Sequence, residues 1–220
     1  MNKTLTIIVA IMLSMLLVCS ALGQEVTKGL TAKGIKVGVN LAKLTGSDVE
    51  DAKMLLGIVG GVFIEYSFSP MFAIQPELLY SMEGAKYKDI VEEGITVSPK
   101  LTLSYLQIPV FLKLKPQTSG NIKPTFCAGP FLGILMSAKA KGSASAEGQS
   151  ADVSVDVKDL FESTNFGVAF GVGAAYKLTK GEITFDARYA LGLSKIAKVE
   201  EGTTPNVKTA TFSFLVGYGF

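Results

Sequence analysis

Residues 208–220, Lys-Thr-Ala-Thr-Phe-Ser-Phe-Leu-Val-Gly-Tyr-Gly-Phe, decide the fold. Counted back from Phe220, every second residue (Tyr218, Val216, Phe214, Phe212, Ala210) is apolar. The residues between are mostly small or polar: Gly219, Gly217, Leu215, Ser213, Thr211, Thr209. A period of two with one aromatic-rich face is the signature of a β-strand. In a soluble sheet that face would meet a core; in a transmembrane barrel it would meet lipid. The remaining strands choose between these solvents.

Seven further segments alternate in the same way. Residues 34–41 set Ile35, Val37, Val39 and Leu41 against Lys36, Gly38 and Asn40. Residues 56–68 set Leu56, Ile58, Val62, Ile64, Tyr66 and Phe68 against Gly57, Val59, Phe63, Glu65 and Ser67. After a tight Ser69-Pro70-Met71 turn, residues 72–83 return with Phe72, Ile74, Leu78 and Tyr80 against Gln75, Glu77, Ser81 and Glu83. Carboxylates repeated along an inner face contradict a dry protein core and suit a polar barrel lumen. Residues 101–115, 122–136, 166–178 and 182–193 continue the pattern. The apolar positions change phase near Tyr105, which predicts a bulge there. Pro124 and Pro130 each remove a ladder donor, which predicts local bulges in 122–136.

Eight strands joined by alternately long and short connections predict an all-β, eight-stranded antiparallel up-and-down transmembrane barrel. Short turns would lie on the periplasmic side. Residues 42–54, 84–100, 137–164 and 194–206 read as polar extracellular loops, with Val153, Val155 and Val157 marking a hairpin above the membrane. Tyr66, Phe68, Phe72, Tyr80, Tyr176, Tyr189, Tyr218 and Phe220 supply parts of the interfacial aromatic belts.

The start of the chain carries an address. Lys3, the apolar run 7–18 and Ala21-Leu22-Gly23 form a signal peptide over 1–23, with cleavage before Gln24 and the barrel domain over 24–220. A lipoprotein reading rests on Leu16-Leu17-Val18-Cys19, where Val18 stands at a position that wants a small residue. Cleavage before Gln24 leaves Cys127 without a disulfide partner, a small side chain for the inner wall.

Composition narrows function by exclusion. Lys+Arg 21 against Asp+Glu 19 lacks the basic excess of a nucleic-acid binder. With no His, there is no imidazole base and no His-containing zinc site. No cofactor is expected. Asp152, Asp156, Asp159 and Glu162 lack the spacing of a calcium loop, and the alternating Gly167, Gly171 and Gly173 lack the helix a dinucleotide fold needs. These glycines leave room for bulkier lumen neighbours.

The inward polar set is Lys36, Glu65, Gln75, Glu77, Lys113, Lys123, Asp186 and Arg188. An eight-stranded lumen is about filled by side chains, so this set reads as an internal salt-bridge plug, with Arg188 paired to Glu65 or Glu77; a proton or ion path is the alternative. Phe212, Phe214, Val216, Tyr218 and Phe220 are spaced as a C-terminal signal for barrel-assembly machinery. Lipid of the outer membrane, that machinery and a protein at the extracellular loops are the expected partners.

Several segments resemble the small outer-membrane barrels called PorT-like: residues 34–41, Gln75-Pro76-Glu77-Leu78-Leu79-Tyr80-Ser81, Tyr105-Leu106-Gln107-Ile108-Pro109, Ala128-Gly129-Pro130-Phe131-Leu132-Gly133 and Ala187-Arg188-Tyr189. Their order and spacing cover nearly the whole mature chain. Gln107 and Cys127 depart from the pattern, since members tend to carry acidic residues there. The resemblance implies the fold and the bacterial outer membrane. For function it implies a link to protein secretion and gliding. Three roles follow: a structural or interaction barrel acting through its loops, an accessory of secretion or narrow transport, and, last, a membrane-embedded enzyme.

Overall fold

The structure is a computed structural model that describes residues 29–49, 51–88, 90–92, 95–146, 149–198 and 205–220. The signal peptide expected over 1–23 lies outside the described residues. The strands are β1 (Gly29–Thr45), β2 (Lys53–Ser67), β3 (Phe72–Lys86), β4 (Ile90–Glu92), β5 (Ile95–Leu114), β6 (Ile122–Ala146), β7 (Gln149–Asp156), β8 (Thr164–Lys177), β9 (Glu182–Gly192) and β10 (Lys208–Gly219).

Eight of these close a barrel. Neighbours run β5-β3-β2-β1-β10-β9-β8-β6, and β5 pairs with β6 to complete the ring, every pair antiparallel. Closure leaves no barrel edge, which the bilayer demands, because an unpaired backbone group has no water to bond there. The seam between first and last strand runs from Gly34↔Gly219 to Thr45↔Lys208. Phe220 extends it: its N–H donates to the Lys33 carbonyl at 2.8 Å, and its own carbonyl accepts the Lys33 N–H at 3.2 Å.

Alternation sorts the side chains as the sequence requires. Ile35, Val37, Leu56, Ile58, Phe126, Val172, Phe185, Phe214 and Val216 stand exposed on the outer wall. Lys36, Glu65, Gln75, Glu77, Lys113, Asp186 and Arg188 are buried inside. A soluble protein would have the reverse, so lipid is the outer solvent. Outer rings pack on one another, Tyr189 lying 4.3 Å from Phe212 and 5.6 Å from Phe170 between centroids.

The bulge expected near Tyr105 is present, as a register shift between Ser104 and Tyr105 against β6. Bulges expected at Pro124 and Pro130 are absent, because β6 keeps one register against β8 from Ile122↔Tyr176 to Ile134↔Thr164. Against β5 the pairing lapses between Pro109↔Phe131 and Leu112↔Ala128, then resumes unshifted. The missing proline donors cost local bonds, and the strands on both sides hold the register.

The extracellular segments are more ordered into sheet than a polar-loop reading allows. β3 continues through Gly84, whose positive φ of 137° suits glycine, to Lys86. β5 starts at Ile95 and β6 runs 25 residues to Ala146, inside both segments read as loops. The hairpin expected around Val153 forms between β6 and β7. Polar outer faces hid these extensions, since beyond the bilayer neither face of a strand needs to be apolar.

The loop read as wholly polar, 194–206, also contributes to the core. Ile196 is fully buried with Leu44, Ala85, Leu103, Tyr105, Leu135 and Ala138. Its N–H donates to the Val207 carbonyl and its carbonyl accepts the Glu162 N–H, which folds the chain over the mouth. One apolar residue in a polar run carries no periodicity to signal this.

Candidate functional site

Strand β3 enters at the periplasmic turn and sends Gln75, Glu77, Leu79, Ser81, Glu83 and Ala85 into the lumen in turn. These positions rise through successive layers of the lumen.

The lowest layer is cationic. Lys113 Nζ donates to Glu65 Oε2 and Gln75 Oε1, both at 2.8 Å. Lys115 Nζ donates to Glu65 Oε1 at 2.5 Å and to Ser67 Oγ at 3.0 Å, and Thr31 Oγ1 adds a bond to the same carboxylate at 3.2 Å. Two lysines face one glutamate here. Lys123, which the sequence places in the inner set, does not join them. It is exposed at the periplasmic mouth, lining a recess of about 90 Å³ with Lys113, Lys115, Thr125 and Glu182. An inward position at a strand's first turn reaches water rather than the lumen, and alternation alone does not report depth.

The middle layer is a compact four-charge cluster. Arg188 grips Glu77 with both terminal nitrogens, Nη1 to Oε2 at 2.6 Å and Nη2 to Oε1 at 2.9 Å. The same Nη2 donates to Asp186 Oδ2 at 3.0 Å. Lys36 Nζ lies 2.6 Å from Asp186 Oδ2 and 3.1 Å from Glu77 Oε1. Two cations and two anions sum to zero, and each anion touches both cations. Gln75 Nε2 donates to Glu77 and joins this layer to the one below. Aromatic faces close it: the Phe63 ring centroid is 4.8 Å from Lys36 Nζ, and that of Phe111 4.6 Å from the Arg188 guanidinium carbon. Of the two partners expected for Arg188, the structure pairs it with Glu77.

Three glycines make the space. A Cβ on Gly171 would meet Arg188 Cγ at 2.8 Å, one on Gly173 would meet Asp186 Oδ1 at 2.7 Å, and one on Gly217 would meet Lys36 Cγ at 2.7 Å. Of the glycines that mimic a nucleotide motif, Gly171 and Gly173 are recesses for charged side chains, whereas Gly167 faces the Phe131 ring.

Above lies an apolar layer of Val59, Leu79 and Leu215, with Phe111, Cys127, Phe131 and Ala169 beside it. Cys127 is a free thiol, buried there as a small wall residue. A further polar layer surrounds Glu83. Ser81 Oγ donates to Glu83 Oε1 at 3.1 Å and Gln107 Nε2 to the same oxygen at 2.5 Å, while Asn40 bridges Ser81 (2.9 Å) and Ser213 (2.7 Å). No cation reaches Glu83 among the described residues, and its partners Ser81, Gln107, Thr209 and Thr211 are all neutral. An acid at position 107 would set two carboxyl groups face to face; the Gln107 amide supplies a donor instead. The Leu44, Leu103, Tyr105, Leu135 and Ile196 cap completes the stack.

Alternation puts Glu83, Asn40, Ser81 and Gln107 on the inner face, yet singles out none of them as a network. Lys115, the last residue of the segment 101–115 and one past the end of β5, shares the parity of Lys113 but is absent from the inner set expected from the sequence. Among the described residues, no group of three from His, Cys, Asp and Glu could hold a metal ion; the Asp152 side chain lies outside those residues. Between the middle layer and Gln107 the lumen keeps a void of about 30 Å³, bounded by Arg188, Phe111, Phe131 and Leu215. That is room for about one water.

The chain is similar to several solved structures. Neisserial surface protein A is 16% identical over 87% of this chain and 99% of its own, with a TM-score of 0.48. OprG from Pseudomonas aeruginosa is 12% identical over 90% and 98%, TM-score 0.46. Ail of Yersinia pestis, solved with the heparin analogue sucrose octasulfate, is 15% identical over 86% and 98%, TM-score 0.42. No curated protein matches the chain. The family model described as outer membrane protein beta-barrel domain matches residues 27–198. With a closed barrel, a lipid-facing outer wall and that match, the chain belongs to the outer membrane protein beta-barrel domain family and is a protein of the bacterial outer membrane.

Proposed function

We propose that the chain is a closed, non-conducting and non-enzymatic barrel: its charged lumen is a structural plug, and its extracellular extensions are a scaffold for a protein partner. The observation that carries this is the continuity of the stack. Charged, apolar, polar and apolar layers follow one another with a void of about 30 Å³ between. An ion entering would have to break bonds such as Arg188–Glu77 at 2.6 Å. Recordings on the folded protein in planar bilayers test the plug; no steady openings are expected, and a large, steady conductance overturns it.

The scaffold role rests on β5, β6 and β7, which rise beyond the lipid-facing band as a paired sheet. Crosslinking in intact outer membrane, followed by pulldown, is expected to capture a partner that deletion of residues 143–154 releases. An unchanged capture pattern in the deletion overturns the role. PorT-like kinship, carried by the segments around Gln75, Tyr105, Ala128 and Arg188, would make that partner part of a secretion apparatus.

A further inference from the structure

The outer wall carries a charge pattern that the lumen and the loops leave unexplained. Four lysines stand directly opposite one another on four adjacent strands: Lys53↔Lys86, Lys86↔Lys100 and Lys100↔Lys141. Like charges directly opposite destabilise a sheet. Neighbouring strands are about 4.8 Å apart, so the row crosses roughly 14 Å of the barrel's circumference.

The row faces outward. Ala85, Leu101 and Ala140, next in sequence to Lys86, Lys100 and Lys141, pair with one another, and Ala85 and Leu101 face the apolar cap inside. Lys53 follows Lys86 by register. Below them, the outer wall turns apolar at Met82 and Tyr80 on β3, at Leu106 on β5 and at Met136 on β6. Four residues separate Lys86 from Met82, about 13 Å along the strand and about 10 Å along the membrane normal at the usual tilt. A lysine stem spans part of that distance by bending its ammonium along the wall. The row therefore lies at head-group height on the loop side.

Neutralisation within the chain is slight. Among the described residues, Lys88 pairs with Asp51 at 2.7 Å, but no ion pair reaches the four lysines of the row. The next position along the row, on β7, is neutral Ser154 opposite Lys141. Lys139, one outward position below, faces Asp156, so the compensating carboxylate stands beside the row and not within it.

The geometry points to a docking surface for the phosphate groups of a phosphorylated lipid in the outer leaflet. A linear array of ammonium groups on a lateral wall, directly above an acyl-facing band, complements a head group that carries phosphate above acyl chains. A soluble acidic protein would approach the loop tips, whereas only a lipid lies beside the wall. Each lysine near an anionic lipid surface is worth about five-fold in affinity, so three together are worth on the order of 100-fold.

Native mass spectrometry of the folded full-length barrel in detergent tests this, with a phosphorylated glycolipid, the same lipid after dephosphorylation, and inorganic phosphate as probes. The wild type is expected to retain the phosphorylated lipid and lose it on dephosphorylation, while inorganic phosphate neither binds nor competes at equal concentration. The triple variant Lys86→Gln/Lys100→Gln/Lys141→Gln should lose on the order of 100-fold in apparent affinity. Lys33→Gln/Lys180→Gln, at the opposite rim, should not. A second variant, Lys86→Glu/Lys141→Glu, alternates the signs around Lys100; it should fold at least as well on heat-modifiability gels and still lose the lipid. Equal retention by the triple variant, equal loss at the opposite rim, binding indifferent to dephosphorylation, or displacement by inorganic phosphate alone would each overturn the assignment.

Discussion

Replacing Arg188 with Met tests the plug where its geometry is tightest. Arg188 is 6% exposed and holds Glu77 through two bonds and Asp186 through a third. Met is close to it in length and lacks charge, so packing against Phe111 is largely kept and electrostatics change. The middle layer passes from two cations and two anions to one cation and two anions. Lys36 then serves Glu77 at 3.1 Å and Asp186 at 2.6 Å alone. Removing one partner of a buried pair typically costs about 3–5 kcal/mol, because the orphaned charge stays desolvated. Arg188→Met should therefore lower unfolding stability by about 3–5 kcal/mol. Adding Glu77→Gln restores neutrality, one Lys36–Asp186 pair, and should recover most of the loss. The chain has no Trp, so urea unfolding of the vesicle-inserted barrel is best followed by circular dichroism and by heat-modifiable mobility. A single-variant loss below about 1 kcal/mol, or a double variant as unstable as the single, would refute the reasoning.

Glu83 answers differently, because its partners Ser81 and Gln107 are neutral. Glu83→Gln strands no cation and should stay within about 1 kcal/mol of wild type in the same unfolding assay, against about 3 kcal/mol lost for Glu77→Gln, which leaves two cations on Asp186. Gly173→Val drives a side chain into Asp186 Oδ1 at 2.7 Å and Thr125 Oγ1 at 2.9 Å. It should cost about 1–3 kcal/mol by overpacking, whereas Gly120→Val, in an open turn whose nearest atom is 3.9 Å away, should be tolerated. Deleting Phe220 removes both seam bonds to Lys33 and the last residue of the proposed assembly signal Phe212, Phe214, Val216, Tyr218 and Phe220. The folded, heat-modifiable fraction in cells should fall, while refolding from urea into vesicles separates the lost signal from the lost bonds.

The fold was legible because lipid imposes a rule on every strand. Ile35, Val37 and Val39 must face out, so Lys36 must face in, and one alternation decides both. The same rule falls silent above the bilayer, which is why β7 and the upper parts of β5 and β6 were only partly readable. It is silent too on depth: Lys113 and Lys123 share a face, yet one is buried and the other lines the mouth. Partnership across the lumen is further from the sequence. Glu77 on β3 and Arg188 on β9 are not on neighbouring strands, so no cross-strand register connects them. Their meeting depends on strand tilt, stagger and closure together.

Closure also explains why the charges belong inside. On an open sheet, Lys36, Glu77, Asp186 and Arg188 would be hydrated on one face and would contribute little. In an eight-stranded ring the walls are close enough for long side chains from opposite strands to meet, and glycines at 171, 173 and 217 widen the lumen where they do. A wall of leucines would fill that space with less specificity of register, since any apolar contact serves. A neutral four-charge cluster with bidentate geometry is satisfied only when β1, β3 and β9 keep the stagger of the observed antiparallel register, so a one-residue slip turns Lys36, Glu77 or Arg188 toward lipid. The plug thus acts as a lock on barrel register as well as a barrier, and the recovery expected of Arg188→Met/Glu77→Gln concerns stability, with its register still held by Lys36 and Asp186.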